Sequence, residues 1–400
     1  MTTTGVSPAA DILRARIAVV VAFAANGLAF ASFISRTPAI RDTLGLSSGQ
    51  LGLLLLCLSG GAVTGLPLSG PLVHRLGPGR AVLAGALSES IGLALLVVGL
   101  STGVVAPAAI GLVLTGLGTG VWDVAMNVEG ADVERRLGRS LMPRLHAAFS
   151  LGTVAGAVLG AASAAAGVPI EVQIIMVAAL IPVVATVSTR RFLPVQESTP
   201  EQKAAGSGAL TAWREPRTLL VGLLVLGFAF TEGSANDWIA VAMVDGYGGG
   251  ETIGAVAFGF FVTAMTLGRL VGGAALERFG RVAVLRATAA IALAGLLLVV
   301  LGGSTPVALG GALLWGVGAS LGFPVGMSAA ADDPARAAAR VSVVSSIGYT
   351  AFLAGPPLIG LLAEHVGILR ALFVVLAALV LGLLASGATR PLPVTEPATR

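Results

Sequence analysis

Apolar positions in this chain follow neither the alternation of strands nor the three-to-four-residue rhythm of soluble amphipathic helices. They come in long unbroken runs separated by short polar turns. Runs long enough to cross ~30 Å of hydrocarbon are read at 17–35, 50–72, 81–100, 105–128, 143–166 and 172–189. A second series follows at 217–241, 252–275, 282–302, 307–330, 341–362 and 366–388. The pattern predicts an all-α membrane protein with twelve transmembrane helices, numbered here as spans 1 to 12. Between the two series, segment 190–216 gathers charge, Pro, Gly and Ser and holds the only lysine, Lys203. It reads as a linker on the side of the termini, joining a six-helix bundle over 1–189 to another over 217–400.

The two series are copies. Gly70-Pro-Leu-Val-His74-Arg75-Leu-Gly77, between spans 2 and 3, returns 203 residues later as Gly273-Ala-Ala-Leu-Glu277-Arg278-Phe-Gly280. Gly111, Leu114, Gly116, Gly118, Ala131 and Asp132 recur at offset 200 as Gly311, Leu314, Gly316, Gly318, Ala331 and Asp332. Ala148, Phe149 and Gly152 recur at offset 203 as Ala351, Phe352 and Gly355. Offsets of one sign and nearly one size indicate parallel repeats, related by an axis along the membrane normal. Such repeats are used by proteins that rock two bundles about a central site.

Composition agrees. Only 11% of residues are charged and the mean hydropathy is +0.93, against about 25% charged in soluble domains. The 55 glycines sit within apolar runs, where they let helix backbones approach. In span 5, Gly152, Gly156 and Gly160 recur every fourth residue and define a close-packing face. Pro356-Pro357 in span 11 is expected to bend that helix. The single cysteine, Cys57, excludes an intramolecular disulfide. Arg14 and Arg16 before the first run resemble a signal peptide, but the run is long enough to span and further spans follow, so an uncleaved first helix is expected.

With the N-terminus cytoplasmic, twenty Lys and Arg fall on the tails and even-numbered connections. Arg36, Arg41 and Arg370 fall on the other side, and Arg269 within span 8. That asymmetry follows the positive-inside rule and places both termini in the cytoplasm of a multi-pass cytoplasmic-membrane protein. Nucleic-acid binding is not expected, because no aromatic residues interleave with basic ones.

On these motifs the chain resembles the major facilitator superfamily over nearly its whole length. The basic turn is similar to that family's G-x-x-x-D-R-x-G-R signature, and the second copy, Gly273, Glu277, Arg278, Gly280 and Arg281, is near the pattern. The first departs from it, with His74 in place of the acid. The resemblance implies gating roles for His74, Arg75, Glu277, Arg278 and Arg281, although the N-terminal copy lacks the acid that such a charge pairing uses. Gly120-Val-Trp122-Asp123-Val-Ala-Met-Asn127 followed by His146-Ala-Ala-Phe149-Ser150-Leu-Gly152 resembles the fucose-permease-like sugar:proton symporters and related inner-membrane proteins of unsettled substrate. The family's helix-4 proton-carrying acid would fall on Asp123. Its helix-1 acid has no counterpart, since an apolar residue stands near Phe30.

An ionisable group at membrane depth costs at least ~2.5–3.5 kcal/mol on insertion scales and lines an aqueous cavity in most cases. Thr115, Thr119, Asp123 and Asn127 recur every four residues in span 4, while their repeat mates Trp315, Ala319, Phe323 and Met327 are apolar. A stripe polar in one half only suggests a task, and Asp123 is the expected proton carrier; a carboxylate fixing helix packing is the bland alternative. Glu232 in span 7 lines up loosely with Asn26 in span 1 and is the second proton-coupling candidate. Asn26, Thr119, Asn127, His146, Asn236 and Tyr349 are candidates for substrate binding. Glu89 in span 3 reads as a structural contact to a neighbouring helix, and Asp237 as a solvated or capping group at the mouth.

The expected function is secondary active transport of a small polar, sugar-like solute by proton symport and alternating access. Proton-driven export of a drug-like compound or metabolite is the alternative. ATP hydrolysis is not expected, because no G-x-x-x-x-G-K-[ST] sequence occurs. His74, His146 and His365 lie on separate segments, so neither a metal site nor an enzyme is expected, and no cofactor is called for. A monomer in the lipid bilayer is expected, partnered by its solute and protons.

Overall fold

A computed structural model describes residues 8–138, 141–193, 209–333 and 336–391, so segment 194–208 with Lys203 lies outside it. Every regular element among the described residues is helical. Twelve helices are long and apolar enough to span: Asp11–Ile34, Ser48–Leu76, Pro78–Thr102, Val105–Leu137, Met142–Ala165, Ile170–Thr189, Pro216–Tyr247, Glu251–Phe279, Arg281–Leu301, Thr305–Ala330, Ala339–Val366 and Ile368–Thr389. They coincide in order with the twelve spans read from the sequence. A short helix, Thr37–Leu44, fills the connection from span 1 to span 2.

The packing repeats as the sequence does. Span 1 packs on 5 as 7 packs on 11, span 2 on 4 as 8 on 10, and span 3 on 4 as 9 on 10. The two sets meet through spans 2 with 11 and 5 with 8. Exchanging the sets turns one of these contacts into the other, which is what a pseudo-twofold axis between them requires.

Lipid offers helices no hydrophobic reason to associate, so close backbone approach has to hold them. The Gly152–Gly160 face does this against span 1. A Cβ added at Gly152 would overlap the Ala24 carbonyl oxygen, and one at Gly156 would stand 2.5 Å from that of Leu28. Between the sets, Gly52 lies against Pro356, whose carbonyl oxygen would be 2.5 Å from an added Cβ. Span 11 stays helical through Pro356-Pro357.

The duplicated turn also has one geometry. Gly77 (φ 80°, ψ 161°) and Gly280 (φ 76°, ψ 160°) end spans 2 and 8 in the left-handed region that favours glycine. Each donates its N–H over 2.9 Å, to Val73 and Leu276 respectively.

Span 10 is the exception to the symmetry. It runs as helix Thr305–Ala319, is interrupted at Ser320-Leu321, and resumes as Gly322–Ala330. Pro324 explains the break: it has no N–H to donate to the carbonyl four residues back, which is that of Ser320. The matching stretch of span 4 is continuous.

On the face carrying the termini, called the terminal face here, charges pair within one set. Asp332 takes Arg217 and Arg281, each at 2.7 Å. Glu215 takes Arg340 at 2.6 Å and Arg336 at 3.0 Å. Arg340 above all holds the Glu215 carboxyl below its ordinary value.

Two outcomes are expected. Gly152→Val drives a branched side chain into span 1 and costs ~2 kcal/mol or more, whereas Gly70→Ala, with open space at its Cβ, is neutral; melting curves of detergent-purified protein compare them. Glu215→Gln lowers Tm by roughly 1–3 °C at pH 7. Because the folded value is depressed, the difference is full above pH ~4.3 and disappears as acid protonates the folded carboxyl, which melting at pH 7 and below pH 4 reads out.

Candidate functional site

Asp123 sits near the middle of span 4, partly buried, and its hydrogen-bond partner is Asn127. The Asn127 amide donates to the Asp123 backbone oxygen at 2.8 Å and to Oδ1 at 3.3 Å. Tyr349 of span 11, half-buried and tilted against Phe352 at 6.3 Å, lies within electrostatic reach of Asp123 from the other set. Val19 of span 1 stands beside Gly130 of span 4. Seven residues on in one helix and seven back in its antiparallel neighbour make about two turns each, which brings Asn26 to the depth of Asp123. The Asn26 side chain is 1% exposed and neither amide atom has a hydrogen-bond partner among the described residues.

The polar stripe of span 4 winds. Four residues turn a helix by 400°, so each member is rotated by about 40° from the last. At one end Thr115 is buried against Gly92 of span 3, and Thr119 donates to the Thr115 carbonyl at 2.9 Å. Glu89 is fully buried there, its backbone against Gly118 of span 4 and its carboxyl beside Thr119. Thr119 therefore faces span 3, while Asp123 and Asn127 are partly open. Glu89 has the helix-packing position expected of it.

Glu232 of span 7 does not stand alone. Arg269 of span 8 places Nη2 3.0 Å from each of its carboxylate oxygens. The same guanidinium donates from Nε to the Ser320 carbonyl at 3.2 Å, the oxygen freed by Pro324. Arg269 also lies within electrostatic reach of His146 on span 5, in the opposite set. His146 is exposed and packs edge-on to Phe23 at 5.5 Å. Asn236 is half-buried one turn beyond Glu232, and Asp237, expected at the mouth as a solvated or capping group, is half-buried. Sequence reading noted Arg269 only as a charge inside a span; its position there, with Pro324 in span 10, was the available signal.

Of the residues in the basic turns, His74, Arg75, Glu277 and Arg278 are all exposed. Arg278 covers its neighbour Phe279 at 5.2 Å. Arg281 is held by Asp332 and by Ser328 at 3.1 Å, inside its own set. Links between the sets lie on the far face, opposite the termini. Arg36 binds Glu251 at 2.6 Å while also holding the Val168 carbonyl at 2.8 Å and Gln173 at 3.2 Å. Arg41 pairs closely with Asp245, and Glu364 takes the Ser47 hydroxyl and the Gly49 N–H. The far face is thus tied shut by residues that the sequence reading did not single out for gating.

Two pseudo-symmetric six-helix sets, joined through two helix pairs and enclosing acids, an arginine and a broken helix at mid-depth, have the architecture of a two-bundle transporter. The sequence profile of the Major Facilitator Superfamily matches residues 18–338 and 238–400. The chain belongs to the Major Facilitator Superfamily and is a multi-pass membrane transporter of the bacterial type. It is 32% identical over 369 residues to the uncharacterized transporter y4wD of Sinorhizobium fredii (strain NBRC 101917 / NGR234), covering 90% of this chain and 96% of that one. In fold it is similar to a single-substitution form of the nucleoside transporter NupG, at TM-score 0.77 and 15% identity over 95% of this chain and all of that one. It is also similar to FucP in the outward conformation, at TM-score 0.65 and 15% identity over 95% and 99% of the two chains.

Arg36→Ala is expected to favour the state open at the far face by roughly tenfold, because it removes one tie and strands Glu251. Distance distributions between spin labels on the far ends of spans 1 and 7 measure it. Superimposable distributions in the variant and the parent would mean that Arg36 does not hold this face.

Proposed function

We propose that the protein is a proton-coupled symporter that moves a small, polar, sugar-like solute across the cytoplasmic membrane by alternating access. The termini and the central linker 190–216 lie in the cytoplasm in this reading, with bundles 1–189 and 217–400 rocking about the cleft. The observation that carries it is Asp123: a mid-span carboxyl, partly exposed, whose hydrogen-bond partner is a neutral amide. Such a group is costly at this depth unless it serves the aqueous path, and among the described residues no cation pairs with it to hold it ionised. Asn26, Asn127, His146, Asn236 and Tyr349 are assigned to the solute as hydroxyl-matching donors and acceptors, and the unsatisfied Asn26 amide invites a polar ligand most directly. Thr119 contributes at the edge of the cleft, beside Glu89. Glu232 is the second acid of the coupling, set against Arg269. The ties on the far face support a cleft open towards the cytoplasm, and His74, Arg75, Glu277, Arg278 and Arg281 would form the opposing gate when that side closes.

Asp123→Asn is expected to abolish solute accumulation driven by a pH gradient in proteoliposomes while leaving the melting temperature and gradient-independent exchange in place. Solutes from a sugar and nucleoside panel, selected by thermal shift on the purified protein at two pH values, serve as the cargo. Undiminished gradient-driven uptake by the variant would overturn the assignment.

A further inference from the structure

Arg269 stands at mid-depth between the two sets, and three of its surroundings constrain what it does. Its Nη2 is shared by both oxygens of Glu232, and its Nε caps the Ser320 carbonyl. Its Nη1 has no hydrogen-bond partner among the described residues, and the side chain remains 30% exposed. A guanidinium presents five N–H donors in a rigid fork suited to oxyanions. Glu232 occupies part of that fork from inside the same set, and the rest is open to the cleft. From the opposite set span 5 brings His146 within electrostatic reach of Arg269, and Tyr349 of span 11 lies within the same reach of Asp123.

We propose that the central site takes a solute bearing an oxyanion, a carboxylate or a phosphate, which docks on Arg269 in exchange for Glu232 as Glu232 accepts a proton from the aqueous cleft. This deepens the symport reading and rests on it for the direction of proton flow. The reason is charge balance. With Asp123 and Glu232 both ionised, the two carboxylates and Arg269 leave the cleft with one net negative charge, which repels an anion. With both protonated, Arg269 is left as an uncompensated cation at membrane depth, a state that is strongly disfavoured. An oxyanion removes that cost. Proton and solute therefore favour each other by the same factor, and neither completes the loaded cleft alone. The cap on Ser320 ties the exchange to span 10: a guanidinium drawn towards a solute pulls on the carbonyl at the helix break.

The test reads the charge of the site without any transport assay. On a Cys57→Ser background, His146→Cys places a thiol within electrostatic reach of Arg269 and removes the imidazole from that position. The protein is labelled with an anionic (sulfonatoethyl) and a cationic (trimethylammonioethyl) methanethiosulfonate, and the ratio of the two rates cancels the reactivity of the thiol itself. Adding Glu232→Gln is expected to raise the anionic-to-cationic ratio about tenfold, as one unit charge removed within ~6 Å of the reagents predicts. Arg269→Gln lowers it by a similar factor. Lowering the pH is expected to raise the ratio more in the Glu232 parent than in Glu232→Gln, where one carboxyl fewer is left to take up a proton. Arg269→Lys, which keeps the charge, holds the ratio near the parent value and guards against misfolding of Arg269→Gln. A second reporter, Tyr349→Cys, repeats the series from span 11. If Glu232→Gln leaves the ratio unchanged at both reporters, or Arg269→Gln fails to lower it, the guanidinium does not address the solute and the proposal falls. The series run in Asp123→Asn separates the two ideas: the shift persists there whether or not Asp123 carries the transported proton.

Discussion

Inside a membrane a backbone carbonyl without a donor cannot turn to water, and every spanning element must satisfy its own polar groups. Among the described residues span 12 is interrupted only near one end, at Leu372, and spans 2, 6 and 11 run on as helix through internal prolines. Span 10 breaks further in, because Pro324 withholds the donor that Ser320 needs. The deficit falls at mid-depth, and Arg269 repairs it from the neighbouring helix. A guanidinium brought there needs a counter-charge, and Glu232 supplies it. One missing N–H thus accounts for an arginine and an acid in the part of the bilayer where charge is most costly.

The two sets share a scaffold and differ at its centre. Their helix pairings, their glycine contacts and the conformation of Gly77 and Gly280 are alike. At the core, the N-terminal set has a continuous helix with Asp123 and Asn127, and the C-terminal set has a broken helix with a neighbouring ion pair. A duplicated frame keeps what packing demands in both copies and lets the lining diverge, since side chains facing an aqueous cleft are not constrained by the helix opposite.

How much was legible in the chain follows from which interactions are local. Spans depend on runs of apolar residues, and all twelve were readable. The close face of span 5 depends on one helix's own spacing, and Gly152, Gly156 and Gly160 pack as that spacing says. The stripe of span 4 was legible as a list but not as a surface, because four-residue steps rotate Thr115 towards span 3 while leaving Asp123 partly open. The Arg269–Glu232 pair was invisible as a pair: its members lie 37 residues apart on different helices, and hydropathy alone marks each as an isolated exception. The ties of Arg36, Arg41 and Glu364 were hidden for a stronger reason. Their partners are 204 to 317 residues away, and the turns drew attention to the terminal face because their signature repeats, whereas the far-face ties have no repeated motif.

The seal on the far face has a chemistry of its own. Spans 2 and 11 meet there through glycine and proline backbone, which water and ions barely affect. The ties of Arg41 to Asp245 and of Arg36 to Glu251 are partly open to the medium, and mobile ions weaken exposed pairs as the Debye length shrinks from about 10 Å at 0.1 M to about 3 Å at 1 M. The ease with which this side opens therefore depends on the saltiness of the compartment it faces. A latch built this way responds to the ionic strength of its surroundings before any cargo arrives.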